Sequence, residues 1–125
     1  MKNLKLLFIP AIALLITFTG GCSSLVIQKA PIHEVNISIA ESYPPQVLVY
    51  IKGGLADSCT SFHELTTKRK GNIITIEITT ERPKKQPCAQ VYGYFEKNVN
   101  LGSDFTSGES YTIIVNDETF DFTMP

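Results

Sequence analysis

From residue 32 onward, apolar and polar residues alternate with a period of two, the pattern of strands half buried against a core. Val35, Ile37 and Ile39 alternate with Asn36 and Ser38 until Tyr43-Pro44-Pro45 breaks the run. Gln46 to Ile51 is continuously apolar after its first residue. That predicts a central strand buried on both faces, ended by Gly53-Gly54. Phe62 to Arg69 and Asn72 to Glu81 flank Lys70-Gly71, a hairpin turn signal. In the second arm Ile74, Ile76 and Ile78 point one way and Thr75, Glu77 and Thr79 the other. Val91 to Leu101 predicts a further strand, with Phe95, Val99 and Leu101 on one face. Tyr111 to Val115 and Thr119 to Met124 flank Asn116-Asp117-Glu118 as a second hairpin, with Phe120, Phe122 and Met124 sharing a face.

About seven short strands at such spacings predict an all-β domain, an immunoglobulin-like antiparallel β-sandwich over residues 32–125. The chain has no Trp, so one hallmark of antibody domains is missing, and "immunoglobulin-like" names an architecture only. Tyr111, three residues after Gly108, is placed for a tyrosine-corner contact between sheets.

The first residues follow another rule. Lys2 and Lys5 precede an almost unbroken apolar run from Leu6 to Phe18, which is shorter than the ~20 residues a spanning helix needs. Thr19, Gly20, Gly21 and Cys22 follow at once. This stretch resembles the signal peptide and lipobox of bacterial lipoproteins, in which small residues precede a cysteine. The usual box has Leu where this chain has Thr19. The resemblance implies cleavage after residue 21 and a diacylglycerol on the Cys22 sulfur, palmitate being a typical acyl chain. The expected partner is therefore a membrane, held through the N-terminal lipid, on the non-cytoplasmic side of the cell envelope. In a Gram-negative cell Ser23, rather than Asp, after the cysteine points to the outer membrane. Residues 22–31 read as the lipidated cysteine and a tether, whose nine residues from Ser23 to Pro31 reach at most about 30 Å.

Three cysteines leave an even pair once Cys22 is lipidated. An exported chain meets an oxidising compartment, so a Cys59–Cys88 disulfide is expected. Its loop of about 30 residues makes the bridge worth roughly 3.6 kcal/mol. No Cys-x-x-Cys spacing and no His cluster completes a zinc site, so no metal and no cofactor is expected.

Composition narrows the chemistry. Eleven basic and 12 acidic side chains in 125 residues leave a net charge of -1, which gives no push toward nucleic acid. Lys68-Arg69-Lys70 and Arg82/Lys84/Lys85 fall at opposite ends of one hairpin, roughly 33 Å apart, and cannot form one basic stripe. His63-Glu64 lacks the second histidine of a His-Glu-x-x-His site, and in a regular strand the two face opposite sides. His33 falls at the edge of the tether. Asp57, Glu64, Glu77 and Asp104 have no spacing that brings them together, Ser107-Gly108-Glu109-Ser110 reads as a turn, and Asn116, Asp117 and Asp121 lack the spacing of a calcium loop. No catalytic residue is expected.

Gly54 to Thr60, Asn72 to Arg82 with Pro83, Cys88-Ala89-Gln90, Phe95-Glu96 with Leu101, and Gly108-x-x-Tyr111-Thr112-x-x-Val115-Asn116 resemble small bacterial lipoprotein domains of the envelope. The likeness spans most of residues 46–124 and implies a β-sandwich with the same disulfide. Its commoner ending has a Gly at the last turn, where this chain has Asp117 and Glu118.

The expected function is a lipid-anchored, non-enzymatic binding or structural module. The Arg82 to Pro87 loop (Arg82, Lys84 and Lys85, stiffened by Pro83 and Pro87) is its candidate binding loop, for an envelope protein or an anionic polymer. Tyr92 and Tyr94 around Gly93 are the aromatic candidates for a binding face. The alternative is a small periplasmic inhibitor of a hydrolase.

Overall fold

The computed structural model describes residues 24–125, so Cys22 and the signal segment lie outside the described residues. Eight strands run β1 (Leu25–Lys29), β2 (Ile32–Ala40), β3 (Gln46–Leu55), β4 (Ser61–Lys70), β5 (Ile73–Pro83), β6 (Gly93–Gly102), β7 (Ser110–Val115) and β8 (Glu118–Thr123). They form two sheets, one of three strands in the order β2-β3-β6 and one of five built around β5. The all-β sandwich expected from the alternation is what the chain forms.

Each sheet turns one apolar face inward. Val47, Val49 and Ile51 of β3 meet Ile74, Ile76 and Ile78 of β5 and Tyr111, Ile113 and Val115 of β7, all of them buried. Phe62, Phe95, Val99, Phe105, Phe120 and Phe122 close the margins of this core. Excluding these side chains from water is the main driving force of the fold. Tyr111 is only 2 % exposed, and its Oη accepts a bond from the Thr106 amide at 2.7 Å, the back-contact expected of a tyrosine corner.

Several expectations are corrected. Leu25–Lys29, read as tether, is strand β1, paired antiparallel with Thr79–Pro83 of β5, and Ala30 behind it is buried. Its polar Gln28 and Lys29 hide it from a period-two search. β3 is central, but it is sealed on its inner face only; Leu48 and Tyr50 on the outer face are half-buried, as a sandwich buries one face of each sheet. Gly53-Gly54 lies inside β3 rather than ending it. The hairpin turn is Gly71-Asn72, one residue later than expected, because Lys70 pairs with Ile73. Gly71 there has φ +60°, a conformation that glycine adopts without penalty.

One pairing departs from a purely antiparallel plan. β4 covers one edge of β5, and β7 and β1 share the other: β7 runs parallel to Ile73–Ile76, and β1 takes over at Thr79. Asn116 fills the seam between them. Its side chain accepts from the Ile78 amide at 2.8 Å and donates to the carbonyls of Ala30 at 2.7 Å and Ile78 at 3.1 Å.

Candidate binding surface

The open end of the β4–β5 hairpin is closed by the Cys59–Cys88 disulfide, with Cα atoms 5.7 Å apart. Backbone bonds reinforce it: the Ser58 amide donates to Ala89 O at 3.0 Å, and the Ala89 amide to Ser58 Oγ at 3.0 Å. Under the bridge sits Asp57, 9 % exposed. Its Oδ1 accepts from the amides of Cys59 and Thr60 and from Thr60 Oγ1, and its Oδ2 accepts from Arg82 Nε at 2.6 Å. Burial pushes the Asp57 carboxyl up, but the bonds from Arg82, Thr60 and the Cys59 amide outweigh it and hold the group below its ordinary 3.8.

This geometry divides the expected loop. Arg82 and Pro83 belong to β5, and the Arg82 guanidinium is turned inward to Asp57 and the Pro83 carbonyl. It is a strut of the fold and offers no free cation to a ligand. Lys84 and Lys85 form the exposed turn that follows, and neither makes an ion pair among the described residues. Arg69 is likewise engaged, lying 4.6 Å from the Phe105 centroid and donating to the Asp104 carbonyl at 2.6 Å.

The outer face of the three-stranded sheet carries a feature of a different kind. A bulge in β2, between Ile32 and Glu34, turns Ile32 into the core and leaves His33 and Glu34 both facing outward. His33 there meets Tyr92 and Tyr94, edge-on at 5.6 and 5.4 Å between centroids, and the two tyrosines meet at 5.3 Å. His33 Nε2 is hydrogen-bonded to Tyr92 Oη, and Lys52 Nζ lies 4.5 Å above the Tyr94 ring. The three rings converge over Gly54. A Cβ there would overlap the Tyr92 phenol and stand 2.8 Å from His33 Nε2. Gly53 does the same on the inner face, under the Phe95 ring. Tyr92 and Tyr94 nonetheless remain 45 % and 56 % exposed. Beside the rings, Tyr50 Oη donates to Glu96 Oε1 at 2.6 Å, and this bond pushes the phenol up to about 12.

The five-stranded sheet mirrors the bulge between Phe62 and Glu64. His63 and Glu64 therefore share its outer face, against the expectation for a regular strand, and His63 Nδ1 lies 3.0 Å from Thr79 Oγ1. Glu64 and Glu77 come together there, lining a shallow depression with Thr66 and Thr79; Asp57 and Asp104 lie at opposite ends of the molecule. Asp57 neighbours Cys59 and Cys88, but with both sulfurs in the disulfide and the carboxylate on Arg82 this trio holds no metal. A cleft of about 260 Å³ opens between the sheets at Val26, Gln28, Ala56, Thr80 and Arg82. Among the described residues no buried side-chain nitrogen or oxygen lacks a partner, so no orphaned group points into it.

Of the residues in this cluster, Tyr92 and Tyr94 stand out in the sequence, whereas His33, Lys52 and Gly54 do not. The available signal was the glycine pair following an apolar run, which often marks close approach of other atoms to a strand.

The ORF11 beta-sandwich domain matches residues 49–124. The chain belongs to this family. The match begins in β3, so Lys52, Gly54, Cys59, Cys88, Tyr92 and Tyr94 fall within it, while β1 and the His33 bulge precede it. The chain is 48 % identical over 86 residues, 69 % of its own length and 90 % of the relative's, to an uncharacterised 10.2 kDa protein in the HgiCIIM 5′ region of Herpetosiphon aurantiacus. It is 47 % identical over 76 residues to a counterpart in the HgiBIM 5′ region of the same organism, covering 61 % of this chain and 92 % of that one. No solved structure matches the chain. Among the described residues no helix is long and apolar enough to cross a membrane.

Proposed function

We propose that the chain is a lipid-anchored, non-enzymatic binding module of the cell envelope, and that it recognises a partner protein through His33, Lys52, Tyr92 and Tyr94. The observation that carries this reading is the interlocked trio of rings over Gly54, half exposed yet braced on one another. Rings held in this way have little rotamer freedom left to lose on binding, and aromatic side chains dominate interface energetics. The anchor rests on the sequence of residues 2–22.

Affinity capture of the tagged, acylated protein from its own membranes tests the reading. The wild type is expected to recover a stoichiometric partner that a folded Lys52→Ala, Tyr94→Ala variant loses. Undiminished recovery by that variant would contradict it. The exposed, bridge-clamped segment from Lys84 to Pro87 supports a second reading, inhibition of a hydrolase. Recovery of a hydrolase that is released by Lys84→Ala, Lys85→Ala but retained by the aromatic variant would favour it.

A further inference from the structure

The sandwich has one end with a distinct charge, and the N-terminus leaves the fold there. Leu25 pairs with Pro83, and the Lys84 amide donates to the Ser24 carbonyl at 3.2 Å. Cys22 precedes Ser24 by two residues, so covalent geometry alone keeps it within about 7 Å of that position. Two carboxylates belong to this end: Asp57, which Arg82 neutralises, and Glu81, which lies opposite Ser61 and Ile27 and reaches 3.9 Å from His63 on the outer face of the five-stranded sheet. Lys84 and Lys85 are exposed beyond it. Leu25, opposite Pro83 and 50 % exposed, adds apolar surface beside them, and Val91 of the 82–94 segment is 64 % exposed. The opposite end is mixed, with Glu41, Asp104 and Glu109 among Lys68, Arg69 and Lys70.

We propose that this end, through Lys84 and Lys85 with Leu25 and Val91, rests directly on an anionic phospholipid surface; the inference builds on the lipoprotein reading of Cys22. A domain tethered by about two residues cannot hold its near end away from the bilayer. Among the described residues the groups beyond Arg82 at this end are two cations and apolar side chains, while Asp57 is neutralised by Arg82 and Glu81 turns toward His63 on the sheet face, so attraction to anionic head groups prevails at the tip. Short basic segments beside a lipid anchor are the second signal that makes membrane attachment stable and fixes its orientation. The aromatic trio then stands on the side wall just above the head groups, free to meet a partner.

The protein purified from the membranes of its own cell is incorporated into vesicles of phosphatidylcholine alone or mixed with phosphatidylglycerol. Lysines are then labelled with a water-soluble amine reagent and read by mass spectrometry, with Lys68 and Lys70 at the far end as internal reference. Labelling of Lys84 and Lys85 is expected to fall about fivefold in the anionic vesicles, as for a cation held at the surface. It is expected to recover in about 1 M salt, where screening shortens to about 3 Å. Equal labelling in both vesicle types, or equal protection in both, overturns the inference while leaving the anchor intact. An intact mass showing an unacylated Cys22 overturns both readings together.

Discussion

Asn116 shows how much of this fold can rest on one side chain. Its carboxamide bonds Ala30, just past β1, and Ile78 of β5 at the point where β7 stops, and among the described residues it is the one non-glycine with positive φ, at 52°. Asparagine tolerates that conformation better than most residues, and with Asn116 supplying the positive φ the turn needs no glycine at Asp117. Asn116→Ala should cost about 2–4 kcal/mol, from the unpaired backbone groups at the seam and the backbone strain. Asn116→Gly loses the same carboxamide bonds but adopts the positive φ without strain, so its denaturant midpoint should fall between those of the wild type and the alanine variant. Asp57 carries a comparable role at the bridge end. Its folded pKa is depressed, so its stabilisation is complete above the unfolded value and is lost as pH falls through the folded one. Between about pH 5 and pH 3 the wild type should therefore lose more stability than Asp57→Asn, as followed by chemical denaturation at each pH. Neither role was legible in the sequence. Arg82 reads as one of three loop cations until the structure shows its strand parity turning it inward, and Asn116 reads as an ordinary turn residue.

At the scale of elements, alternation and turn residues located six of the strands because each has one face in the core and one in solvent, and β3 showed instead as a continuous apolar run. It missed β1, whose Leu25 and Ile27 are about half exposed and whose contribution is mainly the backbone ladder with β5. Amide hydrogen exchange should find β1 protected well above an extended tether, with the Ala30 amide, bonded to Ile78 O at 2.9 Å, among its slowest. The two bulges were also invisible. Each inserts a residue that breaks the period-two rule, and so each puts a histidine on the same outer face as the following glutamate. The glycine pair of β3 gives a sharp contrast. Gly53→Ala forces a methyl into the Phe95 ring, which packs at 5.6 Å against Phe62 inside the sandwich, and should cost about 1–3 kcal/mol. Gly54→Ala should cost less in thermal stability, because Tyr92 can swing into solvent, but it should dissolve the ring cluster and abolish partner capture.

At the scale of the molecule, the disulfide and the sandwich were both readable from composition and pattern, since three cysteines, with Cys22 set apart by its lipobox-like surroundings, leave a single intramolecular pairing. Reducing Cys59–Cys88 should lower the unfolding free energy by about 3–4 kcal/mol, read from denaturant curves with and without reductant. The proposed binding surface was only half legible: Tyr92 and Tyr94 are close in sequence, but His33 and Lys52 reach them only through sheet pairing. The polarity of the molecule, with the chain entry, the free lysines and the rings gathered at one end, follows from β1 joining the sheet directly after Cys22. Everything proposed for function depends on that anchor. The most direct test is mass spectrometry of the N-terminal peptide of the protein purified from the membranes of its own cell. The account predicts a mature chain beginning at Cys22 and carrying a diacylglyceryl group on sulfur. A chain that retains residues 1–21, or one that begins elsewhere with an unmodified Cys22, would contradict it.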